Sequence, residues 1–227
     1  MLLTSTDATL GRRDQRTYRP MILLPLLLAA TDHVPPVPGA CTEPAAAHVG
    51  EPGCFLSGTL AIDAAPPELF WHIVSAASED AARAAAGQHR WSFVTHAHGR
   101  WWVYVLSASA AEPMLAAGHH VAGPFRLEPG RPVTARFMES LFPPGMRTRV
   151  HSHSGAEAFY VIEGEQCTAT PAGEHRLRAG ESFIVPSGPH LQAAPKGRRS
   201  MVLILAPGSE PWMRLAKPWS PEPACRR

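Results

Sequence analysis

The stretch from Gly145 to Gly164 holds the residues best placed to do chemistry. His151 and His153 stand two apart, Glu157 follows four residues later and Gly164 seven beyond that. Side chains two apart on a strand share a face, so both imidazoles can converge on one point. A short turn at Ser154-Gly155 then lets the next strand bring Glu157 to the same point. Two imidazoles and one carboxylate form a 2-His-1-carboxylate ligand set, which leaves open positions on a bound divalent ion. Residue types alone do not separate Fe, Mn, Zn and Ni as the occupant.

The elements that carry these residues are legible in the surrounding pattern. From Val133 to Pro207, short alternating segments are punctuated by Gly and Pro about every 8–12 residues, the spacing of an all-β sandwich or barrel. Alternation from Glu157 sends Phe159 and Val161 to its own face and Tyr160 and Ile162 to the other. A two-residue hairpin turn at Glu163-Gly164 would set Tyr160 opposite Cys167, turning that thiol away from the histidines. Arg147 and Arg149 share strand parity with the histidines; they read as solvated charges at the rim, with a hold on an anionic substrate as the alternative.

Upstream the texture differs. Residues 68–74 form a short apolar run suited to a buried strand, and Ser78-Glu79-Asp80 caps an alanine-rich helix that ends at Gly87. Two strand-like segments follow, Trp91 to His96 and Arg100 to Leu106, joined by a turn at Ala97-His98-Gly99. Residues 41–128 thus read as a small α/β segment whose core holds Trp71, Trp91, Trp101 and Trp102. His96 and His98 repeat the two-apart spacing without a matching carboxylate and read as surface; His119 and His120 read as a loop pair.

The stretch resembles the first conserved motif of the cupin superfamily, G-x(5)-H-x-H-x(3)-E-x(6)-G, at every fixed position: Gly145, His151, His153, Glu157 and Gly164. The family's second motif, G-x(5)-P-x-G-x(2)-H-x(3)-N, is met by Gly180, Pro186 and Gly188, whereas His190 comes one residue early and Ala194 stands where Asn is expected. A one-residue shift turns a strand side chain to the opposite face. Either the Gly188-Pro189 turn is one residue tighter and His190 joins His151, His153 and Glu157 as a metal ligand, or Leu191 takes that place and the fourth ligand is missing. The resemblance implies a mainly β fold: a cupin-type β-barrel (double-stranded β-helix or jelly roll) over residues 129–207, preceded by the small α/β segment. It also implies a site in the barrel mouth and a homodimer.

Composition bounds the remaining possibilities. The chain has 227 residues, 21 basic against 19 acidic, and only 18% charged residues, so it carries no field suited to nucleic acid. Nucleotide-binding, serine-hydrolase and dinucleotide motifs are absent. Four arginines (Arg12, Arg13, Arg16, Arg19) precede the ten-residue apolar run 21–30, the order of a secretory signal peptide and too short to span a bilayer that needs roughly 20 residues. Residues 1–40 therefore read as signal peptide and linker, which implies a periplasmic or secreted protein with no membrane contact after cleavage. Met21 as the true start, or an apolar N-terminus with no targeting role, are the alternatives. Residues 208–227 read as a proline-rich tail. Four cysteines allow three pairings; Cys41 with Cys54 is the pairing singled out, with unpaired thiols as the alternative.

Two functional readings follow. The first is an exported cupin-domain protein that binds a divalent metal through two or three histidines and Glu157, acting on a small molecule as an oxygenase or isomerase. The second is a non-catalytic binding or sensing module built on the same barrel.

Overall fold

The computed structural model describes residues 36–227 except 88, 112–118, 186, 209, 217, 218, 220–224, 226 and 227. The arginine-led apolar run, Pro186 of the second motif and part of the proline-rich tail lie outside the described residues. Among the described residues no helix is long and apolar enough to cross a membrane.

After a 3-10 turn at Ala45–Ala47 come strand β1 (Gly53–Ile62), β2 (Glu68–Ala76), α1 (Glu79–Ala86), β3 (Ser92–Ala97), β4 (Arg100–Ser107) and β5 (His120–Arg126). The helix begins where the sequence predicts, because the Ser78 hydroxyl accepts the Ala81 N–H at 3.2 Å and satisfies a donor that the first turn leaves open. His98 and Gly99 both take positive φ, +51° and +76°, which is the backbone a tight two-residue turn between β3 and β4 demands. The apolar run 68–74 lies in β2, an inner strand of an antiparallel sheet of order β3-β4-β2-β5. One face of that sheet takes α1, with Ala82 and Ala86 packed on Val74, Val103 and Val105. His120 is not a loop residue: it starts β5 and pairs with Ile73, because the segment 120–126 completes the sheet edge beside β2.

The remaining strands are β6 (Val133–Phe142), β7 (His151–His153), β8 (Ala156–Thr170), β9 (Gly173–Arg178), β10 (Ser182–Val185), β11 (Leu191–Ala193), β12 (Arg198–Pro207) and β13 (Met213–Leu215). They form the cupin-type barrel expected: one sheet runs β1-β6-β12-β8-β10, with β9 and β11 on the far half of β8, and β7 pairs with β13. β1, which precedes β2 in the chain, pairs with β6 along its length. Period-two alternation divides these strands between two cores. Phe159, Val161, Val202 and Ile204 face the barrel interior. Ala158, Met201, Leu203 and Leu205 face outward and pack, with Phe137, against Trp71, Tyr104 and Leu106 of the α/β sheet; Tyr160 and Ile162 flank them.

The hairpin expected at Glu163-Gly164 does not form. β8 continues through both residues to Thr170, so Tyr160 pairs with Ser182 and Met201, while Cys167 pairs with Arg176 and Ala193. Gly164 instead takes φ +81° opposite Arg198, just past a bulge at Ile162, where the register with β12 shifts between Arg199 and Ser200. A Cβ at Gly164 would collide with the Gly197 carbonyl, so glycine serves a close backbone approach here rather than a reversal.

Both cysteine pairs are disulfides. Cys41 joins Cys54 and fastens the segment before β1, the pairing singled out from sequence; Cys167 joins Cys225 and ties the tail to β8. Cys167 is thus no free thiol.

Candidate metal centre

β7 is three residues long and held from both sides. β13 pairs with it on one edge, Met213 against His153 and Leu215 against His151. On the other, His151 and His190 exchange both backbone hydrogen bonds, at 3.0 and 2.9 Å, so the two residues lie directly opposite each other. Their rings come within 4.3 Å, centroid to centroid, and His153 is 5.0 and 5.3 Å from His151 and His190. Glu157, near the start of β8, brings Oε2 to 2.9 Å from His190 Nε2 and Oε1 to 3.4 Å from His153 Nε2. One ligand atom from each of these four residues lies within 4.8 Å of the others.

Between the two positions the sequence left open, the fold selects His190. Gly188, at φ +118°, lets the chain swing so that His190 reaches the cluster one residue early. Leu191 turns the other way and packs with Cys167, Ala169 and Ala193. The turn is tighter than the family spacing, and strand parity then sends Leu191 outward as it sends His190 in.

Backbone carbonyls fix the imidazoles. Nδ1 of His151 lies 2.8 Å from Arg149 O, Nδ1 of His153 3.0 Å from Trp212 O, and Nδ1 of His190 3.3 Å from Gly188 O. A carbonyl can only accept, so each Nδ1 carries the proton and each Nε2 presents a lone pair toward the others. The Nε2 atoms of His153 and His190 and Oε2 of Glu157 are buried and make no hydrogen bond. Three converging lone pairs beside a carboxylate oxygen are what a divalent cation satisfies, and the residues fit that role. Burial, reinforced by the nearby His190, lowers His151 to about 4 and keeps it neutral. At His153 burial also favours the neutral ring, but the charge of Glu157, its hydrogen-bonding carboxylate and the Trp212 carbonyl together outweigh it, so the pKa rises and a bound cation would displace that proton. Burial works against the Glu157 carboxylate too, yet His153 and His190 hold its pKa well below the usual carboxylate range.

Two residues that sequence reasoning missed extend the cluster. Gln192 Nε2 donates to Glu157 Oε1 at 3.2 Å, and Gln192 Oε1 accepts from Arg198 Nη2 at 3.2 Å. The guanidinium thereby fixes the amide, and the amide holds Oε1, which also faces His153, while Oε2 stays beside His190. Gln192 was discoverable once His190 was taken as a ligand, since two residues on shares its face. Trp212, whose ring also stacks on His153 at 5.7 Å, and Arg198 gave no local signal. A cavity of about 230 Å³ opens beside the cluster, walled by Met138, Phe142, Phe159, Ile204 and Trp212 among others, with His151, His153, Glu157, Gln192 and Arg198 contributing the polar lining. Arg149 lines it as well. His96 and His98 lie elsewhere: His96 is exposed, whereas His98, expected at the surface, is half-buried with Nε2 3.4 Å from Ser200 O and is lowered to about 4 by burial.

Residues 138–206 match the family model described as Cupin domain. The chain is similar to a cupin-2 domain containing protein from Shewanella frigidimarina, with 25% identity over 31% of this chain and 70% of that one and a TM-score of 0.29. It is also similar to an RmlC-like cupin from the same organism (26% identity, 38% and 76% covered, TM-score 0.29). A variant of oxalate decarboxylase from B. subtilis shows 21% identity, 40% and 30% covered, and a TM-score of 0.32. No curated protein matches the sequence.

Proposed function

We propose that this chain, which belongs to the cupin superfamily through residues 138–206, holds a divalent cation with His151, His153, Glu157 and His190 and acts on a small molecule in the adjoining cavity. The observation that carries this reading is the use of all three Nδ1 atoms on backbone carbonyls, which leaves three Nε2 lone pairs and a Glu157 oxygen directed at one another. A cation with open positions supplies polarisation of a substrate oxygen, or activation of dioxygen, which suits an oxygenase or isomerase. The chain's own residues supply placement. Gln192 orients Glu157, the carbonyls hold the rings, and the apolar walls exclude water from the reacting groups.

Metal analysis of the purified protein beside a His151→Ala, His153→Ala double variant tests the cation. The expected result is about one divalent ion per chain in the wild type and a loss of binding by at least about a hundredfold in the variant. Equal metal in both overturns the reading.

A second reading, a binding or sensing module without turnover, draws support from the cavity lining. Among the described residues, the titratable groups there besides His151, His153 and Glu157 are the arginines Arg149 and Arg198, neither suited to act as a general base. Product formation or oxygen uptake with any of a panel of aromatic, diketone, thiol and sugar-acid compounds, metal restored, removes this reading. Export is proposed as well: two disulfides are consistent with an oxidising compartment, and the arginine-led apolar run with the route to it.

A further inference from the structure

Arg198 is 3% exposed, and among the described residues no negatively charged group is in contact with it. Nη1 donates to the hydroxyls of Ser140 and Ser200, Nη2 donates to Gln192 Oε1, and the guanidinium lies over the Phe142 ring, 4.0 Å from its centroid. All of these partners are neutral. Among the described residues no carboxylate oxygen lies within 4.0 Å of it; the nearest acid through the hydrogen-bond chain is Glu157, one Gln192 amide away and already engaged with His153 and His190. Of the five N–H donors of a guanidinium, three are used; Nε is buried with no hydrogen-bond partner, and one Nη2 hydrogen remains. A buried cation left without a counter-charge is strongly unfavourable, and Nε–H with Nη2–H is the side-on fork that matches the two oxygens of a carboxylate.

Arg198 also lines the cavity beside the candidate metal centre, whose other walls are largely apolar. We infer that the molecule taken into this cavity is a carboxylate with an apolar body, its anionic end held by Arg198 and its body lying along Phe142, Phe159, Met138 and Trp212. The inference rests on the reading of the cavity as a ligand site, and it names the class of ligand. Neither arginine that strand parity had linked to an anion is needed for it; the guanidinium arrives from β12, on the opposite side of β8 from β10.

The experiment is a calorimetric titration of the full chain, stripped of metal with EDTA, with benzoate against benzamide and hexanoate against hexanamide. It is repeated on metal-loaded protein and on Arg198→Met and Arg198→Lys, with circular dichroism to establish that the variants fold. Expected is a preference of about tenfold or more for each acid over its amide in the metal-free wild type, falling to within about twofold in Arg198→Met and retained in part in Arg198→Lys. Equal affinity for acid and amide in the wild type, binding of neither, or an undiminished preference in a folded Arg198→Met overturns the inference. A preference that appears only with metal and survives Arg198→Met also overturns it, since the carboxylate then sits on the cation. Should Arg198→Met not fold, Arg198→Lys and the wild-type acid-amide comparison decide. A chain that binds no metal yet prefers the acids loses the cation proposal and keeps this one.

Discussion

Glu139 shows how a single side chain can be set by which face of a strand it occupies. On β6, Met138 and Ser140 line the cavity, so Glu139 between them turns to the opposite face, where the α/β sheet packs. There its Oε2 makes no hydrogen bond, and its neighbour Tyr104 is held neutral, its pKa raised by burial and by Glu139. Burial raises its pKa to about 7. Between pH 4.5 and about 7 the folded chain keeps a proton on Glu139 that the unfolded chain has released, so stability falls as pH rises through that window. His98 and His151, lowered by burial, act in the opposite sense over an overlapping range, which makes the difference between wild type and variant the informative quantity. Glu139→Gln is expected to gain about 1–3 kcal/mol relative to wild type on going from pH 4.5 to 7.5 in urea titrations; parallel stability curves across that range would refute the assignment. At the same scale, His151, His153 and Glu157 were legible because two-residue spacing encodes a shared face. His190 was legible only as a choice between two positions, since one residue more or less in a turn reverses the face presented.

At the scale of elements, the departure from expectation at Gly164 has a physical cause and a measurable consequence. An X-Gly pair between apolar runs looks like a hairpin, yet the same glycine serves a strand that must bulge while a neighbouring backbone passes close. Both demands apply here, positive φ and contact with the Gly197 carbonyl. Gly164→Ala is therefore expected to destabilise by about 2–4 kcal/mol in denaturant unfolding, more than an alanine at the open positive-φ position Gly173. Equal effects of the two substitutions would indicate that only the dihedral matters. The helix α1 and the β3–β4 hairpin were legible because cap and turn signals are local; β1 and β5 were not, because each is defined by the distant strand it joins.

At the scale of the molecule, the barrel and the α/β sheet share one apolar layer. Phe93, Tyr104 and Phe137 stack with ring centroids 5.0–6.3 Å apart, and β1 adds backbone pairing to β6. The Cys167–Cys225 disulfide spans 58 residues and joins the tail to β8, so that the segment carrying Trp212 and β13 is bounded at both ends. Closing a loop of that length restrains the unfolded chain, and a Cys167→Ser, Cys225→Ser variant is expected to lose about 2–4 kcal/mol of stability in thermal or urea unfolding. Because β13 supports β7 along the edge opposite His190, the same variant should also weaken metal retention in dialysis against a chelator. Unchanged stability and retention would show that the tail holds its place without the bridge.

The sequence by itself determined the β class of the barrel, the helix and hairpin ahead of it, and the identity and common face of His151, His153 and Glu157. All of these are encoded within a few residues, by alternation, caps and spacing. Tertiary structure alone decided that His190 and not Leu191 completes the cluster, and that Trp212 O fixes the His153 tautomer. It alone set Gln192 and Arg198 behind Glu157. Alternation tells which way a side chain points from its own strand, whereas the partners it meets there depend on which other strands arrive, and in what register.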